Sequence, residues 1–227
     1  MKAVLWGKDH TELGKVAVRV VSDRVALALT RGRFGKAYGY VDPNEDAVAA
    51  AVGARAILLV VADGHNGWEA TEVAVRAVLQ RLGDDPPPAD LTDEELVGLF
   101  SEASSEVLRV TSRLPWPNRQ SRTTLTVGLL AGRRLQWAGM GDSALIVADR
   151  RGGRELTHPH HHFVGYPMSD EAVRKRLWHG QALLDGQAWV VAASDGFTNF
   201  ADPRDPAGAV AGVLTGAAGA ATAAGGG

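Results

Sequence analysis

The chain has 227 residues, 45% hydrophobic and 22% charged, a composition that supplies a core for one large or two small globular domains. A formal net charge of -2 gives no basic field for nucleic acid or an anionic membrane. The absence of cysteine excludes disulfides, thiolate metal sites and cysteine nucleophiles, so any metal must be held by oxygen or imidazole.

The first residues, MKAVLWGKDHTELG, are too broken by Gly, Lys, Asp and His to read as a signal peptide. No apolar run approaches the roughly 20 residues of a membrane span, so a cytoplasmic location is expected. VAVRVV (16–21), VALALT (25–30) and AILLVVA (56–62) read as strands. From Glu69 to Leu82, Ala70, Val73, Ala74, Ala77 and Val78 fall on one helical face. GDDPPPAD reads as an interhelical loop. After it, Thr92 and Glu95 have the spacing of a capping box, and Leu96, Leu99, Phe100, Ala103 and Val107 continue a helical stripe. Further strands are expected at 123–131, 134–140, 144–149 and 188–194. AGRR (131–134) joins the first two as a hairpin, and DRRGGR (149–154) turns with Gly152-Gly153 at its tip. A third helix is expected at 170–179 and a fourth, weakened by Ala and Gly, near 206–222, followed by a fraying tail. Trp116 and Trp137 read as structural, and HPHHH (158–162) as a solvated loop. Strands cluster in runs around two adjacent helices, which predicts a single α+β layered domain over 1–227 with mainly antiparallel sheets.

Three of these strands end in the same way, at Asp63-Gly64, Asp142-Ser143 and Asp195-Gly196, and a further acidic patch, Asn44-Glu45-Asp46, sits in a Pro-led turn. Asp-Gly alone is a common turn dipeptide. Several carboxylates delivered to strand ends repel one another unless a positive charge lies between them, and hard divalent cations such as Mg²⁺ or Mn²⁺ suit such oxygen donors.

NED, VVADGHNG, SRTTLTVGLL…LQWAGMGDS and VVAASDGF stand in this order in the chain. The series resembles the metal-dependent serine/threonine protein phosphatases of the 2C type, which carry Glu-Asp, Asp-Gly-His-Gly-Gly, Thr-Thr, Gly-Asp-Ser and Ser-Asp-Gly in the same sequence. The resemblance covers about residues 40 to 200. It implies a four-layer α-β-β-α sandwich, two mainly antiparallel sheets flanked by helix pairs, with two core Mn²⁺ or Mg²⁺ ions and, in many members, a weaker third. By the same resemblance Asp63 bridges the two ions, the Gly64 carbonyl contacts one and Glu45 holds its water shell. Asp195 binds the other ion, and Asp142 helps Asp195 hold the third. His65 matches the position proposed to protonate the leaving serine or threonine oxygen, a task suited to imidazole as a class. The implied activity is hydrolysis of phosphoserine or phosphothreonine by metal-activated water. The implied partners are a phosphorylated protein substrate, a serine/threonine kinase or its target, with no nucleic acid and no membrane, and the chain acting as a monomer.

The pattern also departs from the family. Val41 stands where many bacterial members carry a phosphate-gripping arginine, leaving Arg31, Arg33 or Arg122 as candidate substitutes. Asn66 and Arg122 replace family glycines, and Ala144 follows Gly-Asp-Ser where arginine is usual. The Asp-Asn or Asp-Asp pair expected before a final strand is not found, which is expected to weaken one ion and leave a sheet edge uncovered. A non-catalytic phosphoprotein-binding or regulatory module is therefore the rival expectation.

Overall fold

The computed structural model describes residues 1–33, 43–158, 160–202 and 204–224. In chain order the strands begin with β1 (Lys2–Trp6), β2 (Val16–Ser22), β3 (Val25–Thr30), β4 (Ala47–Val52), β5 (Ile57–Ala62) and the two-residue β6 (Gly64–His65). Helices α1 (Glu69–Leu82) and α2 (Asp93–Thr111) follow, then β7 (Arg122–Thr123), β8 (Leu125–Ala131), β9 (Arg134–Met140), β10 (Ala144–Asp149) and β11 (Gly152–Glu155). The chain continues through α3 (Asp170–Arg176), β12 (Trp178–Leu183), β13 (Trp189–Ala193), α4 (Asp195–Ala201) and α5 (Pro206–Ala224).

Six strands form one antiparallel sheet in the order β1-β4-β5-β8-β9-β12. Its central strand β5 is covered on both faces, which is why ILLVVA reads as a continuous apolar run and does not alternate. One face carries α1 and α2. Ala47, Ala49 and Ala51 of β4 meet Ala70, Ala74 and Ala77 of α1, small residues that let helix and sheet approach closely, while Phe100 and Val107 of α2 fill the rest. The opposite face carries a second β layer in two parts. The β2–β3 hairpin alternates buried and exposed along β3 and packs Val25, Leu27 and Leu29 on Ala3, Leu5 and Ala50. The three-stranded sheet β11-β10-β13 packs Leu145 and Leu156 against Leu135 and Leu184, and α5 covers its outer side with Ala207, Val210 and Ala211. The result is the expected four-layer α-β-β-α sandwich.

Several local expectations change. The 123–131 run is broken after Thr123 into β7 and β8. The turn after β10 has Arg150 and Arg151 at its tip, with Gly152 and Gly153 inside β11; a Cβ on Gly153 would collide with the Ala207 carbonyl of α5. The third helix stops at Arg176, and Trp178 opens an edge strand. Trp116 is 64% exposed and contributes no core. Among the described residues no helix is long and apolar enough to cross a membrane.

Candidate active site

The acidic residues meet at one end of the sandwich because strands from both β layers stop there. The Asp63 backbone is fixed first. Thr124 N–H and Thr123 Oγ1 donate to the Asp63 carbonyl at 2.9 Å each, and Asp63 N–H donates to Thr124 Oγ1 at 2.9 Å. Thr124 Oγ1 lies 2.7 Å from Ser143 Oγ, which ties the Gly141-Asp142-Ser143 turn to the same place. The Thr-Thr pair and the Ser of Gly-Asp-Ser thus form the frame that holds the acids.

Two glycines are required by this packing. A Cβ on Gly64 would stand 2.4 Å from the Glu45 carbonyl oxygen and 2.5 Å from Thr71 Oγ1. Gly141 has φ +115°, and its Cβ would meet Thr124 Cγ2 at 2.5 Å. Asn66, at φ 62°, and Gly67 make the left-handed turn into α1. Glu45, only 3% exposed, accepts the Gly67 N–H on Oε1 at 2.5 Å. Ser121 Oγ accepts the Ala70 N–H and donates to the Gly67 carbonyl, so a residue from the loop between α2 and β7 supplies the cap that the N-terminus of α1 lacks from Trp68.

Asp63 is 8% exposed, and its carboxyl is pushed well above the usual carboxylate range. Burial is the largest cause. The negative charges of Asp46, Asp195 and Asp142 add to it, together with a carboxyl–carboxyl hydrogen bond to Asp195. Asp63, Asp142 and Asp195, read as a set from strand ends, are therefore brought together. Asp46 joins them and was not singled out from the sequence. It precedes β4, whose Ala-rich run gives no strand signal, so its place at a strand end was hidden. Ser194 Oγ donates to Asp46 Oδ2 at 3.0 Å and links the two β layers across the site.

His65 is exposed beside the acids. It is the cross-strand partner of Arg122, and its ring meets the Phe163 ring edge-on at 4.8 Å. The Arg122 guanidinium lies 4.2 Å from the centre of the Tyr166 ring. Arg33 is exposed, and among the described residues no hydrogen bond or ion pair ties it to the acids. Arg31 donates from Nη1 to the Thr11 carbonyl, and Val41 lies outside the described residues. His160 is occupied structurally, with Nε2 bonded to the Arg176 carbonyl and Nδ1 accepting the His162 N–H.

Among the described residues no group of three or more His, Asp or Glu side chains is placed to hold a metal ion as it stands. The donor chemistry nevertheless fits a hard divalent cation. It is all oxygen, and mutual repulsion among the four aspartates disfavours the ionised form of Asp63 until positive charge offsets it.

A family model described as protein phosphatase 2C matches residues 40–216. A curated relative, probable protein phosphatase 2C 69 of Arabidopsis thaliana, is 29% identical over 99 residues, 44% of this chain and 27% of that protein. The chain thus spans about a quarter of the length of the curated relative it matches. Among solved structures, the S. agalactiae serine/threonine phosphatase aligns with TM-score 0.62 at 16% identity, covering 88% of this chain and 86% of that one. The catalytic domain of the serine threonine protein phosphatase PstP, in complex with 2 manganese ions, aligns with TM-score 0.55 at 21% identity, covering 88% and 89%. At these identities the structural likenesses speak to the fold.

Proposed function

The chain belongs to the protein phosphatase 2C family, and from that premise we propose that it is a divalent-cation-dependent hydrolase of phosphoserine or phosphothreonine in proteins. The observation that carries this reading is Asp63, buried and raised in pKa among Asp46, Asp142 and Asp195. Mn²⁺ or Mg²⁺ bound among these carboxylates would supply Lewis-acid activation of water and neutralise phosphoryl oxygens. Asp63, Asp142, Asp195 and the Gly64 carbonyl are the residues to hold such ions. Glu45 keeps the Gly67 turn and the approach to α1 in place through its accepted hydrogen bond. His65, exposed at the rim, donates a proton to the departing seryl or threonyl oxygen. Arg122, its cross-strand neighbour, grips the phosphate from the side.

The test is hydrolysis of a phosphothreonine peptide with Mn²⁺, with a chelator, and with Asp63→Asn. Turnover should require the cation. Asp63→Asn should lower kcat/KM by roughly a hundredfold or more, since cation charge stabilisation is worth several kcal/mol. Turnover indifferent to both chelator and mutation would sink the proposal. The open acid cluster favours a second reading, a phosphoprotein-binding module, which would be recognised by cation-dependent peptide binding without turnover.

A further inference from the structure

His65 and Arg122 face each other across a two-residue ladder, too short to hold either side chain by itself. The support comes from a distant stretch of chain, Phe163–Tyr166. Val164 pairs with Thr123 through both backbone hydrogen bonds, Thr123 N–H to the Val164 carbonyl at 3.2 Å and Val164 N–H to the Thr123 carbonyl at 2.8 Å. Its side chain is fully buried. Gly165 N–H donates to Ser104 Oγ of α2 at 3.1 Å, and that hydroxyl donates on to the Tyr166 carbonyl at 3.0 Å. Gly165 has φ +106°, and a Cβ there would meet Val107 Cγ1 at 2.7 Å. The segment is therefore locked to β7 on one side and to α2 on the other.

This locked segment presents two rings to two functional side chains. Phe163 stands edge-on to His65, and Tyr166 lies beneath the Arg122 guanidinium. Among the described residues no carboxylate pairs with Arg122. A guanidinium laid on an aromatic face keeps its N–H groups in its own plane, where the ring does not use them. That leaves a fork of donors pre-set for two parallel bonds to a phosphate, and pre-setting removes rotamer freedom that binding would otherwise have to restrict.

We propose that Phe163–Tyr166 is a positioning element for phosphomonoester recognition, in which Tyr166 presents Arg122 as a bidentate clamp and Phe163 orients His65 toward the same phosphate. This rests on the phosphatase reading for its phosphomonoester ligand and for the proton-donor role of His65. Tyr166 and Phe163 act through their neighbours and touch no reacting atom.

Calorimetric binding of a phosphothreonine peptide and its unphosphorylated twin to the manganese-loaded chain provides the first test. Tyr166→Leu should weaken phosphopeptide binding by roughly tenfold, the scale of one well-placed charge-assisted pair. Tyr166→Phe, which keeps the ring, should restore most of it. Arg122→Ala should show the full loss and make Tyr166→Leu silent in the double variant, as expected when one residue acts only through the other. Equal losses in the Leu and Phe variants, additive losses in the double variant, or no preference of the wild-type chain for the phosphorylated peptide would each overturn the proposal. Because the readout is binding, it decides even for a chain that does not turn over. Turnover supplies a second arm for Phe163. Phe163→Leu should lose roughly tenfold more kcat on the phosphothreonine peptide, whose leaving oxygen needs a proton, than on p-nitrophenyl phosphate, whose leaving group does not. Equal losses on both substrates would remove Phe163 from the proposal.

Discussion

Asp63 is an acid that the fold makes hard to ionise, through burial first and then through Asp46, Asp195 and Asp142. Its pKa is higher in the folded chain than its ordinary value near 3.8, so between those two values the native state holds more proton than the unfolded one. Stability then falls as pH rises through that window, and the penalty is complete above it. Asp63→Asn removes the charge while keeping the shape. In chelator it is expected to raise the melting temperature at about pH 8 by roughly 2–4 °C, with the gain vanishing toward about pH 4. Circular dichroism melts across that range check this, and a gain of equal size at every pH would contradict it. At this scale the sequence was informative where an acid ended a recognisable strand, as Asp63, Asp142 and Asp195 do. It showed Asp46 only as part of an acidic patch and was silent on its bond to Ser194, which crosses two sheets, and on Tyr166, which meets Arg122 only after 43 residues of intervening chain have folded.

Among the elements, α2 was the most legible, because its start is written locally. Thr92 Oγ1 accepts the Glu95 N–H at 3.3 Å, and Glu95 Oε2 accepts the Thr92 N–H at 2.7 Å, the reciprocal pair that the spacing predicts. Thr92→Ala should destabilise the fold by about 1 kcal/mol, read as a lower urea midpoint at unchanged slope. Activity should stay near wild type, since Leu91 beside the cap is bonded to Gln136 near the start of β9, whereas Asp142 follows the other end of that strand; no shift in midpoint would show that the sheet alone holds this turn. Strands β4 and β12 were missed for the opposite reason. AVAAAV has no strand preference of its own, and becomes one because β1 and β5 pair with it on either side while α1 needs its small residues. WHGQAL follows a helical run without punctuation, and only its pairing with β9 makes it extended.

For the whole molecule, the acid cluster is a joint between layers. Asp46 precedes β4 and Asp63 follows β5 of the six-stranded sheet, Asp195 follows β13 of the three-stranded sheet, and Asp142 lies in the turn that carries the chain from β9 to β10. Without a cation their repulsion pushes these layers apart, opposed by Leu135, Leu145, Leu156 and Leu184 and by the Ser194–Asp46 hydrogen bond. A divalent ion shared among them reverses the sign of that interaction, so the part of the fold that depends on it most should be β10, β11, β13 and α5. The α1/α2 side has its own core around Phe100 and should respond little. A ligand at a hundredfold excess over its Kd stabilises the state it binds by about 2.7 kcal/mol, or roughly a hundredfold in amide protection. Manganese should therefore slow hydrogen exchange in Val190–Ala193 and leave β8 and the middle of α2 near their metal-free rates, with the whole effect absent in Asp63→Asn. If protection rises equally in both β layers, the chain unfolds as one unit and the cation acts on global stability. If it rises nowhere, the acids do not hold an ion between the sheets.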